Sequence, residues 1–130
     1  MNFKPIIIVA GEPNSVFLEL FFKSFKKNKF KNPLILIASQ KLLELQMRTF
    51  KFKKKIKVLN KNRLFDYKLN NKHINLINVN YNPRKAFENI SRKSNIYINK
   101  CFDEAFEIIK KYNIKRFING PINKKTFLNK

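Results

Sequence analysis

Short, wholly apolar runs alternate along the chain with stretches in which apolar residues recur every three or four positions. Residues 6–10 and 34–38 are the clearest apolar runs, and both are rich in Ile, Leu and Val. A continuous apolar run of this length is typical of a strand that is buried on both faces of a parallel sheet. Runs at 55–59, 74–79 and 117–119 predict three further strands, the first of them with one face in water.

The stretches that follow the first two runs predict amphipathic helices. Asn14 or Ser15 is expected to cap the first helix. Its apolar stripe consists of Phe17, Leu18, Phe21, Phe22 and Phe25. Ser39 is expected to start the second helix, with Leu42, Leu45 and Thr49 on one face.

The longest helical pattern covers residues 94–112. Its apolar positions repeat at steps of three and four and are Ile98, Cys101, Phe102, Ala105, Phe106, Ile109 and Tyr112. We expect Phe102, Phe106 and Ile109 to be buried, because they share one face of a 3.6-residue repeat. Asn113 can take the left-handed conformation that ends a helix. Further upstream, Asn82 and Pro83 have the sequence of another helix start.

Strands that alternate with helices predict an α/β fold with a mainly parallel sheet flanked by helices. The length of 130 residues fits one domain, residues 1–130. Ligands of such sheets bind outside the carboxyl ends of the strands. Two turns are expected at that edge. They contain Gly11, Glu12 and Pro13, and Gly120, Pro121, Asn123 and Lys124.

The composition excludes several classes of site. With two glycines, the chain cannot build a glycine-rich phosphate loop. His73 is the only histidine, so an internal catalytic triad or a multi-histidine metal site is not expected. Cys101 is the only cysteine and falls on the apolar face of the long helix, where it is expected to act as a small core residue. Glu107 and Lys111 are spaced as a surface ion pair.

No apolar run approaches the roughly 20 residues that a membrane-spanning helix needs. The single cysteine fits a reducing compartment. We therefore expect a cytoplasmic protein with no membrane partner.

The formal net charge is +21, with 29 Lys and Arg against 8 Asp and Glu. Lysines cluster at 23–31, 51–57 and 110–116, with phenylalanines between them, as in proteins that bind RNA or DNA. The dominant residues Lys, Asn, Ile and Phe also share AT-rich codons, so a nucleotide bias produces the same charge. Lys greatly outnumbers Arg, whereas Arg is the better match to phosphate and guanine. Weak, non-specific binding of polyanions is expected in either case.

The two turns resemble those of one enzyme family. Residues 11–19 read Gly-Glu-Pro-Asn-Ser-Val-Phe-Leu-Glu and match four of nine positions of Gly-Glu-Pro-Ala-Gly-Ile-Gly-Pro-Glu. That motif follows the first strand of the 4-hydroxythreonine-4-phosphate dehydrogenases of vitamin B6 biosynthesis. Residues 117–124 resemble the strand and Gly-Pro-x-x-Lys turn of the same family, which often has His at the position of Asn123.

The resemblance implies an isocitrate-dehydrogenase-like fold and a homodimer that uses NAD(P) and a divalent metal. It also implies a phosphorylated hydroxy-amino acid as substrate, with the residues of the two turns at the substrate cleft. It covers the whole chain but only about the first third of the enzyme. The family's metal-binding histidines and most of its cofactor contacts have no counterpart here. We therefore expect a short or truncated member, inactive by itself. The alternative is a basic, non-enzymatic module that binds RNA or DNA.

Overall fold

The computed structural model describes residues 4–89 and 91–122, and these form a sheet of five parallel strands. The strands are β1 (Ile6–Val9), β2 (Leu34–Ala38), β3 (Ile56–Val58), β4 (Ile74–Asn78) and β5 (Phe117–Asn119). Their spatial order is β3-β4-β2-β1-β5, and every neighbouring pair is parallel. The predicted α/β fold with a parallel sheet is confirmed.

Helices cover both faces of this sheet. Helices α1 (Phe17–Lys27) and α2 (Gln40–Thr49) pack on one face, against Ile8, Leu36 and Leu76. Helix α3 (Arg92–Tyr112) and a 3₁₀ helix at Lys61–Asp66 pack on the other. Each strand of the sheet centre is therefore buried on both sides, as its continuous apolar run predicts. Among the described residues, no helix is long and apolar enough to cross a bilayer.

The apolar stripe of α1 is confirmed, and that of α2 is partly wrong. Four of the five predicted α1 residues are buried, and Phe17 is half-buried. Ser39 caps α2 as predicted, because its Oγ accepts a hydrogen bond of 3.2 Å from the amide of Leu42. However, Leu43, Gln46 and Met47 are buried, whereas Thr49 is exposed. Helix α2 packs against α1 as well as against the sheet, so its buried face is wider than the single row of apolar residues used for the prediction.

Helix α3 begins earlier than predicted, and Pro83 does not start a helix. Ser91 caps α3, and its side chain and that of Ser94 each accept a hydrogen bond from the other's backbone amide. Residues 84–87 form bends, and no helix follows Pro83 in residues 83–89. The carboxyl end of α3 is as predicted: Asn113 adopts a left-handed conformation with φ of 54°.

The expected burial of Phe106 is wrong. The side chain is 54% exposed, whereas Ile108, which the pattern omitted, is 1% exposed. The buried stripe of α3 centres on Cys101, Ala105 and Ile108. Phe106 lies about 100° around the helix from Ala105. Its ring therefore lies beside Phe117 of the edge strand β5, with ring centroids 5.8 Å apart. Phe102 and Ile109 are partly buried.

The polar segment between β3 and β4 begins with the 3₁₀ helix at Lys61–Asp66. Leu64 anchors it in the core at 1% exposure. This helix also changes the predicted ion pair of α3. Lys61 lies 2.7 Å from the carboxylate of Glu104 and 3.2 Å from that of Glu107, so Glu107 pairs across elements and not with Lys111.

Candidate functional site

The two turns predicted at the carboxyl edge of the sheet are in direct contact. They meet because β1 and β5 are neighbouring parallel strands, which end at the same edge. The amide of Glu12 donates a hydrogen bond of 2.8 Å to the carbonyl oxygen of Pro121. The amide of Gly120 donates one of 2.7 Å to the carbonyl oxygen of Val9. The structure thus brings together Gly11, Glu12, Pro13, Gly120 and Pro121.

Both glycines are required by this close backbone contact. Gly11 has φ of 78°, a conformation that side chains disfavour. A Cβ on Gly11 would lie 2.5 Å from the carbonyl oxygen of Pro121, and one on Gly120 would lie 2.2 Å from that of Ala10. The obstructing atoms are backbone, so no side chain can rotate away. The glycines therefore let two strand ends join into one rim.

A buried glutamine connects this rim to the segment that follows β4. Gln46 of α2 is 1% exposed. Its Nε2 donates hydrogen bonds of 3.0 Å to the carbonyl oxygen of Pro13 and 2.8 Å to that of Ala86. Glu12, next to Pro13, is itself 6% exposed. Gln46 of α2 therefore supports the rim through its hydrogen bond to Pro13, and the carboxylate of Glu12 is buried within the rim.

Two cavities open at the carboxyl ends of β2 and β4. One of about 270 Å³ includes Ser39, Lys41 and Asn80 in its wall. The other, of about 360 Å³, includes Arg92 and Lys93. The wall of the first also includes Glu44, whereas the second has no acidic side chain among the described residues, so the second is better suited to an anionic ligand. The residue pattern did not point to them, although Asn78, Asn80 and Asn82 form an Asn-x-Asn-x-Asn sequence where β4 ends.

Lys41 and Lys93 are both directed at the segment that follows β4. The Nζ of Lys41 donates a hydrogen bond of 2.7 Å to Oδ1 of Asn82, and the Nζ of Lys93 donates to the carbonyl oxygen of Asn82. Lys93 also lies over the ring of Tyr81, with its Nζ 5.0 Å from the centroid. These contacts position Lys41 in the wall of the first cavity and Lys93 in the wall of the second.

Tyrosine and cysteine side chains below the cavities are held neutral. Tyr81 and Tyr97 stack with centroids 4.6 Å apart, and the hydroxyl of Tyr97 accepts a hydrogen bond of 2.8 Å from the amide of Ser39. Burial raises the pKa of both tyrosines, and the carboxylates of Glu88 and Glu12 add to the rise at Tyr81. Burial raises the pKa of Cys101 to about 12, so its thiol is not a nucleophile near neutral pH.

The remaining candidates lie elsewhere. Asn123 and Lys124 fall outside the described residues. His73 precedes β4 and is therefore at the opposite, amino edge of the sheet. Within residues 4–89 and 91–122, no three His, Cys, Asp or Glu side chains cluster as a metal site would require. The part of the chain that is described does not fit the divalent metal that the family resemblance implies.

No protein-family model matches the chain, and no curated protein does. Solved structures do match. The 4-hydroxythreonine-4-phosphate dehydrogenase from Burkholderia phymatum superposes with a TM-score of 0.80 at 18% identity, over 98% of this chain and 39% of that one. The 4-hydroxythreonine-4-phosphate dehydrogenase from Klebsiella pneumoniae gives 0.80 at 13% identity, over 96% and 39%. The chain has the fold of these enzymes and spans about two fifths of their length.

Proposed function

We propose that the chain forms the amino-terminal portion of a 4-hydroxythreonine-4-phosphate dehydrogenase, with its carboxyl edge as one wall of the substrate cleft. The observation that carries this proposal is the contact between the two turns. The motifs at Gly11 and Gly120 resemble those of the family, and the fold places them against each other. The similarity of fold to the solved dehydrogenases supports the same assignment.

The described residues supply binding groups for an anionic substrate. Lys41, Arg92 and Lys93 border the cavities at the carboxyl edge and offer charge to a phosphate or carboxylate. Lys124 is a further candidate from the sequence. Glu12 gives the rim a negative centre that orients an ammonium group away from these cations. The proposed role of this wall is to hold a phosphorylated hydroxy-amino acid.

The oxidation itself requires groups that these residues do not hold. In the family, a divalent metal eases removal of the hydroxyl proton and NAD(P) accepts the hydride. The described carboxylates and the single histidine do not form the ligand set for such a metal. We therefore propose that this chain binds the substrate and that oxidation takes place only when further polypeptide is present. We also propose that the active form is a homodimer in the cytoplasm.

A spectrophotometric assay for reduced nicotinamide tests this proposal. The purified chain is mixed with 4-phosphohydroxythreonine, NAD(P) and magnesium, zinc or cobalt. We expect no turnover from the chain alone, and turnover when the remaining three fifths of the Burkholderia enzyme is added as a separate polypeptide. Substrate-dependent turnover by the chain alone, lost in a Glu12→Gln variant and kept in Asp103→Asn, an exposed position on α3 outside both cavities, would show that it contains a complete site.

A further inference from the structure

A cation precedes every strand of the sheet. Lys4 precedes β1, Lys31 precedes β2, Lys55 precedes β3 and Lys72 precedes β4, each within three residues. Lys115 and Arg116 precede β5 in the same way. Because all strands are parallel, these six residues share the amino edge of the sheet, opposite the candidate cleft. We call them the basic edge.

The basic edge forms a row across the full width of the fold. The strand order places Lys55 at one end, then Lys72, Lys31 and Lys4, and Lys115 with Arg116 at the other end. Four gaps of about 4.8 Å between strands give a row about 19 Å long. All six side chains are exposed. Among the described residues, none of them forms an ion pair.

Asparagine side chains fix the loops that carry these cations. Nδ2 of Asn32 donates a hydrogen bond of 2.9 Å to the carbonyl oxygen of Lys4, and Nδ2 of Asn71 donates one of 2.8 Å to that of Asn32. Oδ1 of Asn71 accepts a hydrogen bond of 2.9 Å from the amide of Leu34. Because the three loops are tied together, the backbone positions from which these lysines extend are set before any ligand binds.

The charge at this edge is one-sided. Segments 26–33, 51–55, 67–73 and 110–116 contain fourteen Lys and Arg and no Asp or Glu. Helices α1, α2 and α3 all end at this edge, and their dipoles contribute about half a negative charge each. That is about one and a half negative charges against fourteen positive ones, so the edge stays strongly positive. A nucleotide bias that favours lysine codons would explain many lysines, but it does not by itself explain why these segments contain no Asp or Glu.

We propose that the basic edge binds the phosphate backbone of a nucleic acid without base specificity. A regular row of exposed cations neutralises successive phosphates and releases their counterions. Lys53, Lys54 and Lys55 also line a groove of about 1180 Å³ beside α2, which gives a flexible single strand a concave surface.

Two of the phenylalanines between the lysines pack in the core. Phe52 stacks on Phe22 with centroids 4.8 Å apart, and Phe25 is 8% exposed. Neither is available to stack on bases, and Phe30 alone offers an exposed ring among the described residues of these segments, so recognition rests mainly on charge. An anionic membrane is a poorer partner, because Phe30 is the only large hydrophobic side chain exposed by the described parts of these basic segments.

Fluorescence anisotropy with a labelled single-stranded RNA of about 20 nucleotides, titrated across potassium chloride concentrations, tests the basic edge. The test variant carries Lys55→Gln, Lys72→Gln and Lys115→Gln. The control carries Arg84→Gln, Lys85→Gln and Lys100→Gln, which remove the same charge from exposed positions away from the basic edge. Circular dichroism confirms that both variants fold.

We expect the test variant to bind the RNA about tenfold more weakly at low salt. The slope of log K against log salt should also become shallower by about 2, because each of the three lost phosphate contacts contributes roughly 0.7. The control should change affinity less than about threefold, and RNAs of scrambled sequence should bind equally well. Equal losses in the two variants would overturn the proposal, as would no binding at about 50 mM salt. Displacement of the RNA by vesicles containing phosphatidylserine would overturn it in favour of a membrane.

Discussion

The amide of Glu12 lies 2.8 Å from the carbonyl oxygen of Pro121 and donates a hydrogen bond to it. The two residues follow the first and last strands, so this bond joins the beginning and the end of the described fold. It depends on the neighbouring glycines, because Gly11 and Gly120 bring the two backbones into contact. The rim of the candidate cleft is therefore a product of tertiary structure.

Gly120→Ala is expected to destabilise the fold by more than about 2 kcal/mol. The new Cβ would lie 2.2 Å from the carbonyl oxygen of Ala10, so the rim must move apart. Chemical denaturation measures the change in the free energy of unfolding. Asn14→Ala, at an exposed position beside the same turn, serves as the control. A loss of less than about 0.5 kcal/mol from Gly120→Ala would show that the rim is not tightly joined.

The buried side of α3 is tested by two substitutions in the same helix. Ile108→Ala should cost about 2–5 kcal/mol, because it opens a cavity in the core. Phe106→Ala should cost under about 1 kcal/mol, since more than half of that side chain is already exposed. Urea unfolding of both variants gives the comparison. A reversed order of the two losses would mean that α3 is rotated from the orientation described above.

Gln46→Met tests the connection between the rim and residues 83–89. The substitution keeps the length of the side chain but removes both donors, so the carbonyl oxygens of Pro13 and Ala86 lose a buried partner. We expect a loss of about 1–3 kcal/mol. Hydrogen exchange should also quicken in residues 83–89. Gln40→Met in the same helix is the control, and equal effects of the two variants would argue against a connecting role.

Cys101 gives the fold a dependence on alkaline pH. Its pKa is raised from 9.0 to about 12 by burial, so the unfolded chain loses the thiol proton first. The contribution of the protonated, buried thiol to the stability of the fold is complete below about pH 9 and declines as the pH rises toward 12. We expect the free energy of unfolding to fall over this range, and to fall less steeply in Cys101→Ala.

Reaction with iodoacetamide at about pH 8 provides an independent check on Cys101. The native thiol should stay unmodified, whereas the urea-unfolded chain should react. Rapid modification of the native protein would show that the thiol is accessible and ionised.

The strands were predictable because a continuous apolar run has few alternatives to a doubly buried strand. Their order was not, since nothing in residues 117–119 indicates that they pair with β1. The contact of the two turns followed from that order and could only be found in the structure. The burial of Phe106 was predicted wrongly because helical periodicity shows that α3 has an apolar face but not which of its residues face the middle of the sheet. Phe106 lies over the edge strand β5, so its side chain stays partly in water. Lys41 and Lys93 were missed because they are far apart in the sequence, and only the fold brings both to the segment that follows β4.

The central claim is that the carboxyl edge binds a phosphorylated hydroxy-amino acid, and an NMR titration of the isotopically labelled chain tests it most directly. We expect 4-phosphohydroxythreonine to shift the amide signals of Gly11, Glu12 and Gly120 together with that of Lys93. The shifts should saturate below about 10 mM. The amino acid without its phosphate should cause much smaller changes. Shifts confined to Lys55, Lys72 and Lys115 at the basic edge, or no saturable shifts at all, would contradict the account.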